Sequence, residues 1–482
     1  MTIRLNIHKI KNYAKFLIIM VLIAILGLVS ITIGSKSENI SAESLRDEFG
    51  IAYTEDIEEN GNVVEIDLEA SEGEIEIFDG YKTKVWNYNG SVPGPEIRIK
   101  LGDTLKVNFT NNLPDETTIH WHGVRVPNAM DGVPGINQDP IEPGDSFVYE
   151  FTPKDAGTFW FHPHVRGSEQ LERGLFGTLI VEDDISDQYS KDIVWVVDDW
   201  RLTDNYQVDP YFVTGHDLAH DGRWGNVITV NANLNESLTV QPGERIRLRI
   251  VNSSNARVYA PSFGRLDAKI IAVDGMYVKE VQNASNFELS PGNRIDVDIK
   301  IPSDADGESY KIFDNYTRYS NQLGIINVEG EVVETPSFEY PTNPYIPDWE
   351  DAINAEVDKE YRLNARRTSG GMGMMGGIEW TINDKAYPDY EPFEFKYNEF
   401  NKIKFTNESY RLHPMHLHGQ FFKVISRNGK QVNELFFRDT VLLGPQETVE
   451  IAFIPLDKGE WAQHCHIQEH ADAGMMNTVI VK

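Results

Sequence analysis

The chain has 482 residues and a net charge of −31, from 44 Lys+Arg against 75 Asp+Glu, which disfavours a polyanion such as nucleic acid as partner and would draw cations. Its 40% hydrophobic and 25% charged residues are those of a globular protein, and the length suggests about three domains. One cysteine, Cys465, excludes an internal disulfide framework.

The N-terminus carries Arg4, Lys9, Lys11 and Lys15, followed by an uncharged apolar run from Phe16 to Gly34. Residues 1–45 are therefore expected to be a signal peptide or signal anchor and tether. The run is long enough to span a bilayer, and the basic residues before it would keep that end in the cytoplasm and send the rest outward. A cleaved signal is the alternative, with Ile40-Ser-Ala42 as its small-residue end. Either way the expected location is outside the cytoplasm: extracellular, cell-surface or periplasmic.

From about residue 60 the sequence reads as β. Val63–Leu68 and Glu74–Phe78 alternate apolar and polar residues, as half-buried strands do. Glu96–Leu101, a Gly-Asp turn and Thr104–Thr110 predict strand, turn and strand. The same phrase returns in Ser237–Val251, and in a degraded copy in Phe393–Phe405. Three copies at roughly domain spacing predict a threefold repeat of an all-β sandwich. The expected domains are 46–187, 188–335 and 359–482, with a surface linker over 336–358 that holds Pro336, Pro341, Pro344 and Pro347 across its start.

Eight of the 13 histidines fall in four His-X-His pairs: His120/His122, His162/His164, His416/His418 and His464/His466. In an extended chain residues i and i+2 share a face, so each pair presents two imidazoles to one side. Imidazole suits copper, zinc, iron and nickel, and eight of them fit a multinuclear cluster. Two pairs lie in the first third and two in the last, which places the cluster where those domains meet.

If His464 and His466 face the cluster, Cys465 between them faces a second metal. Thiolate selects copper among the plausible metals. His470 follows five residues later, Met475 five after that, and His413 stands just ahead of its pair. Two His, one Cys and a weak axial Met make a blue-copper electron-transfer site.

His120-Trp-His-Gly, His162-Pro-His, His413-Pro-Met-His-Leu-His-Gly and His464-Cys-His-Ile-Gln-Glu-His with Met475 resemble the four copper motifs of the multicopper oxidases, in the family's order. The resemblance covers about residues 60–482. It implies three consecutive cupredoxin-like Greek-key β-sandwich domains, and four copper ions. His413, Cys465, His470 and Met475 would bind a type-1 copper; His120 and His416 a type-2 copper; His122, His162, His164, His418, His464 and His466 a type-3 pair. Electrons would pass from Cys465 to His464 and His466, and dioxygen would be reduced to water. Asp131 and Glu469 resemble acidic residues that relay protons, which dioxygen reduction consumes. The bland alternatives are a turn residue before Gly132 and a hydrogen bond to a ligand.

Met372, Met374 and Met375 lie in a glycine loop, Gly370–Gly377, and could take up Cu(I) through their thioethers, or merely cover apolar surface. His216 and His220 could face together on a helical turn and read as a polar loop, in a domain that binds no copper in the family. Met415 and Met476 read as packing neighbours. The expected partners are dioxygen and a metal ion such as Cu(I), Fe(II) or Mn(II), with phenols and aromatic amines as the laccase-like alternative. The chain is expected to be monomeric. A non-catalytic copper-storage protein is the rival from another class.

Overall fold

The computed structural model describes residues 59–482 apart from 186–187, 336–337, 344–349, 369–376 and 433. The apolar run 16–34 and the loop bearing Met372, Met374 and Met375 lie outside the described residues. No helix among the described residues is long and apolar enough to cross a membrane.

Three double-sheet sandwiches follow one another along the chain. In the first, one sheet runs in the order Tyr81–Tyr88, Val63–Phe78, Thr104–Asn112, Ser146–Phe151. The other runs Glu96–Lys100, Gly177–Glu182, Gly157–His162, His120–His122. The two apolar-polar stretches expected near the start are one continuous strand, Val63–Phe78, which buries Leu68 and Ala70.

The recurring phrase acquires its meaning here. Its two strands are not a hairpin: Glu96–Lys100 and Thr104–Asn112 belong to opposite sheets. So do Glu236–Val240 and Arg245–Asn252, and again Phe393–Phe395 and Asn401–Asn407. The turn carries the chain across the sandwich, and the second strand then lies parallel to an earlier one. Val63 pairs with Thr104, Ile246 with Lys191 and Lys359 with Ile403, all in parallel register. The repeat is thus visible in topology as well as in sequence.

One apolar cluster runs through the first and third sandwiches together, from Leu68 to Val481, and includes Cys465 and Met475. The two sandwiches are thereby fixed against each other, and any site between them is held rigidly. The second sandwich has its own core. Its strand Arg245–Asn252 buries Arg247 and Arg249, which pair with Asp296 and Asp192, and Arg249 also donates to Thr158 of the first sandwich at 2.7 Å. In the stretch expected as linker, a short helix, Glu350–Asn354, buries Ala352 in the shared core.

Candidate metal centre

Two antiparallel ribbons build a histidine cage. In the first sandwich His120 lies directly across from His162; in the third, His416 lies directly across from His464. Alternation does the sorting. Trp121 turns into the core against Tyr149, Phe151 and Phe161, which leaves His120 and His122 on the other face. Met415 and Leu417 do the same beside His416 and His418. The ribbons face each other closely: His120 stacks on His418 and His122 on His416, both with ring centroids 3.8 Å apart.

The cage is chemically arranged for metal. Burial holds His122, His162, His164, His416, His418, His464 and His466 below the usual imidazole range, so they are neutral with a lone pair free. For His464 the value falls to about 3. The Nδ1–H groups of His120, His162, His416 and His464 donate to the carbonyls of Asp131, Pro163, Asp439 and Cys465, which turns each Nε2 inward. His122 is reversed: its Nε2 faces Asp439, and Nδ1 points inward.

Five of these inward nitrogens are buried with no hydrogen-bond partner: Nε2 of His120, His162, His416 and His466, and Nδ1 of His122. Nε2 of His464 faces only Nε2 of His164, at 3.2 Å, and of His418, at 3.0 Å. Orphaned buried polar atoms on this scale are costly unless a cation satisfies them. They converge in overlapping groups, His164/His418/His464, His120/His122/His162 and His120/His416/His418, with the His466 ring 5.0 Å from that of His122 and 5.4 Å from that of His162.

Two carboxylates lock the cage. Asp131 accepts His418 Nδ1–H at 3.0 Å through its carboxylate and His120 through its carbonyl. Asp439 accepts His122 Nε2–H at 3.1 Å and, through its carbonyl, His416. Arg294 of the second sandwich donates to Asp439 at 2.7 Å. Sequence reasoning missed Asp439, because nothing in Arg438-Asp439-Thr440 marks it; only the pairing of strand Thr440–Leu443 with His413–Leu417 brings it there.

On the opposite face of the same strand lies the thiol. Cys465 Sγ is 3.6 Å from His413 Nδ1 and 3.9 Å from His470 Nδ1, and all three are fully buried. Burial pushes the thiol up, so a metal entering here must displace its proton. The second nitrogen of each histidine is also fixed: His413 Nε2 by Ser409 Oγ at 2.9 Å, His470 Nε2 by the carbonyl of His220 at 2.9 Å. Met475 is buried in the same cluster, and its carbonyl accepts Cys465 N–H. Met476 pairs with His464 and lines the cavity on that side, so it faces away from the thiol. Met415 lies directly across from Cys465.

Sequence models of the multicopper oxidases match residues 69–186, 191–331 and 359–482. The protein named multicopper oxidase mco of Staphylococcus aureus is 30% identical over 433 residues, covering 86% of this chain and 88% of the relative. The chain belongs to the multicopper oxidase family. It is an oxidoreductase of cupredoxin-like domains, and its family membership implies bound copper. Among solved structures, a multicopper oxidase from Campylobacter jejuni titled a metallo-oxidase superposes with a TM-score of 0.72 at 27% identity, covering 90% of this chain and 96% of that one. A laccase from Pediococcus acidilactici superposes with a TM-score of 0.75 at 26% identity, covering 89% and 92%.

Of the two acidic residues expected to relay protons, Asp131 bonds to cage histidines and Glu469 bonds to the second sandwich. Glu469 touches no cage histidine: its carboxylate accepts Asn255 Nδ2–H and Arg223 N–H, both at 3.0 Å, from the second sandwich. The cause is local. The strand ends at Cys465 and helix Gln468–Asp472 begins, so Glu469 leaves the alternation that aims His464 and His466. Burial pushes its carboxyl up to about 7.

The second sandwich donates no histidine to the cage or the thiol site, yet it presses on both. Gly292 and Gly222 adopt positive φ, where a side chain would collide with the site. A Cβ at Gly292 would meet His122 at 2.9 Å and His466 at 3.0 Å; one at Gly222 would meet Ile467 at 2.5 Å and Glu469 at 2.6 Å. A cavity of about 330 Å³, lined by His164, His464, Glu116, Tyr387 and Asp472 among others, leads from the surface to the cage.

Proposed function

We propose that the oxidase holds four coppers and couples one-electron oxidation of a metal ion to reduction of dioxygen to water. His413, Cys465 and His470, with Met475 as weak fourth ligand, would hold the type-1 copper. His120 and His416 would hold the type-2 copper, and His122, His162, His164, His418, His464 and His466 the type-3 pair. The observation that carries this is the set of five orphaned, buried imidazole nitrogens facing one another behind a thiol flanked by two histidines. Copper in these places supplies one-electron transfer at the thiolate and dioxygen reduction in the cage.

The chain's own residues do the remainder. Cys465 joins the two places covalently through its bonds to His464 and His466. Asp131, whose carboxylate accepts His418 Nδ1–H at the cage wall, would relay protons inward. The cavity beside His164 gives dioxygen entry and water an exit.

Support for a metal ion as reductant comes from the thiolate end. His413 and His470 are both fully buried under Trp380, so a bulky substrate does not reach either imidazole directly, whereas an electron can cross a hydrogen bond. The acidic surface would concentrate cations. The metallo-oxidase title of the Campylobacter relative agrees. A laccase-like reading has one observation of its own: a cleft of about 590 Å³ between the second and third sandwiches, with Phe287, Tyr316 and Phe436, reaches Leu412 next to His413.

Oxygen uptake by the copper-loaded protein separates these readings. Uptake with Cu(I) or Fe(II) well above that with a phenol is the expected result. Faster uptake with the phenol would favour the laccase-like reading, and bound copper without uptake from any donor would indicate storage.

A further inference from the structure

The thiolate site is roofed by one segment of the second sandwich, residues 214–222. Three hydrogen bonds fasten it: His470 Nε2–H to the carbonyl of His220 at 2.9 Å, Trp380 Nε1–H to the carbonyl of Leu218 at 3.0 Å, and Leu412 N–H to Asp221 at 2.8 Å. Trp380 in turn lies over both His470 and His413, with centroids 4.2 and 4.9 Å away. Leu412 precedes His413 and His470 is itself a thiolate-site histidine, so the roof touches both imidazole arms.

The roof contains the helical turn Gly215–Ala219, which is short but tightly held. Thr214 caps it reciprocally with Asp217, and buried Asp217 takes both ends of the Arg201 guanidinium at 2.7 and 3.1 Å. On this clamped turn His216 and His220 stand four residues apart, both exposed to solvent, with rings stacked at 4.1 Å and 14°. His220 Nδ1–H donates to the carbonyl of His216 at 2.9 Å, which leaves its Nε2 with a free lone pair facing out. His216 has only a 3.9 Å approach of Nδ1 to Asp217.

Neither ring packs on a third aromatic group among the described residues, and an exposed histidine pair adds little to stability. Stacked face to face, the rings hold their lone pairs in parallel planes, but the exposed His216 side chain is free to turn, and two imidazoles one turn apart then make a two-ligand site for a borderline metal ion. Two ligands bind weakly, which suits an ion that must leave after each turnover and does not suit a resident cofactor.

We propose that His216 and His220 are the docking site of the reducing metal ion, a cuprous or ferrous ion, whose electron enters the thiolate site through the His220 main chain and the hydrogen bond its carbonyl accepts from His470. This rests on the metal-ion reading above. Each docked ion loses one electron and departs oxidised. Four such ions, one dioxygen and four protons give four oxidised ions and two waters. His220 is both ligand and conductor, because its side chain takes the ion while its carbonyl already touches His470.

The test uses the copper-loaded full chain and the double substitution H216Q/H220Q, which leaves the His220 carbonyl in place. The KM for Fe(II) should rise at least about tenfold, with the blue absorption of the thiolate centre retained. Zn(II), which is redox-inert and suits the same ligands, should inhibit Fe(II) oxidation competitively in the natural protein and lose that effect in the variant. H216Q alone, at a side chain 73% exposed, should leave the fold intact and give part of the rise. An unchanged KM and unchanged zinc inhibition in a protein that oxidises Fe(II) would overturn the docking site while the metal-ion reading stands. A natural protein that oxidises phenols and neither Fe(II) nor Cu(I) would overturn both.

Discussion

The two sides of the tripeptide His464-Cys465-His466 are built on different principles. The cage side is ringed by carboxylates: Asp131 on His120 and His418, Asp439 on His122 and His416, with Arg294 behind Asp439. On the thiolate side the two histidines are fixed by a serine hydroxyl and a backbone carbonyl, and roofed by Trp380. Among the described residues no carboxylate bonds to either imidazole. The difference fits the two tasks. Dioxygen reduction gathers several metal charges and takes up protons, so that side needs anionic partners and a proton donor. On the proposed reading the thiolate side would handle one electron at a time, and neutral, rigid surroundings in a low dielectric would keep reorganisation small.

That contrast can be broken by mutation. Asp131→Asn keeps shape but removes the proton carrier, so reoxidation by dioxygen should slow by about 10²–10⁴-fold while reduction of the thiolate centre stays fast. Stopped-flow measurement of the two half-reactions checks this; equal slowing of both would erase the distinction. Glu469→Gln sharpens the point. Because Glu469 bonds to the second sandwich and not to the cage, its loss should slow reoxidation far less than Asp131→Asn. Asp439→Asn should weaken copper retention in the cage by about 10–100-fold, the usual cost of losing a partner behind a ligand. Chelator titration followed by metal analysis should then find the blue centre outlasting the cage. Ser409→Ala is the smallest change. It removes one neutral hydrogen bond behind His413, worth about 1 kcal/mol, and should weaken only the thiolate copper, by less than about tenfold.

Much of this was legible in the sequence, and for one reason. Alternation along a strand is a local rule, so His120-Trp-His122 and His464-Cys-His466 declare which side chains share a face before any fold is known. The repeated phrase declared three sandwiches in the same way, although not that its turn crosses between sheets. What could not be read depends on contacts distant in sequence. Asp439 meets His122 across 317 positions, and His220 meets His470 across 250. The partners of Glu469 were equally hidden: Asn255 and Arg223 reach it from the second sandwich once the strand gives way to a helix after Ile467. Nothing in the sequence singles out Gly222 and Gly292, and only the packed structure shows a side chain colliding with the site at each.

The most direct test of the two-sided account is the copper content per chain of the natural protein and of Cys465→Ser, measured on intact protein by native mass spectrometry. The account predicts four coppers in the first and three in the second, with the blue colour and nearly all turnover lost while the cage stays filled. Two coppers in the fully loaded natural protein, or a Cys465→Ser variant that keeps four and still turns over, would contradict it.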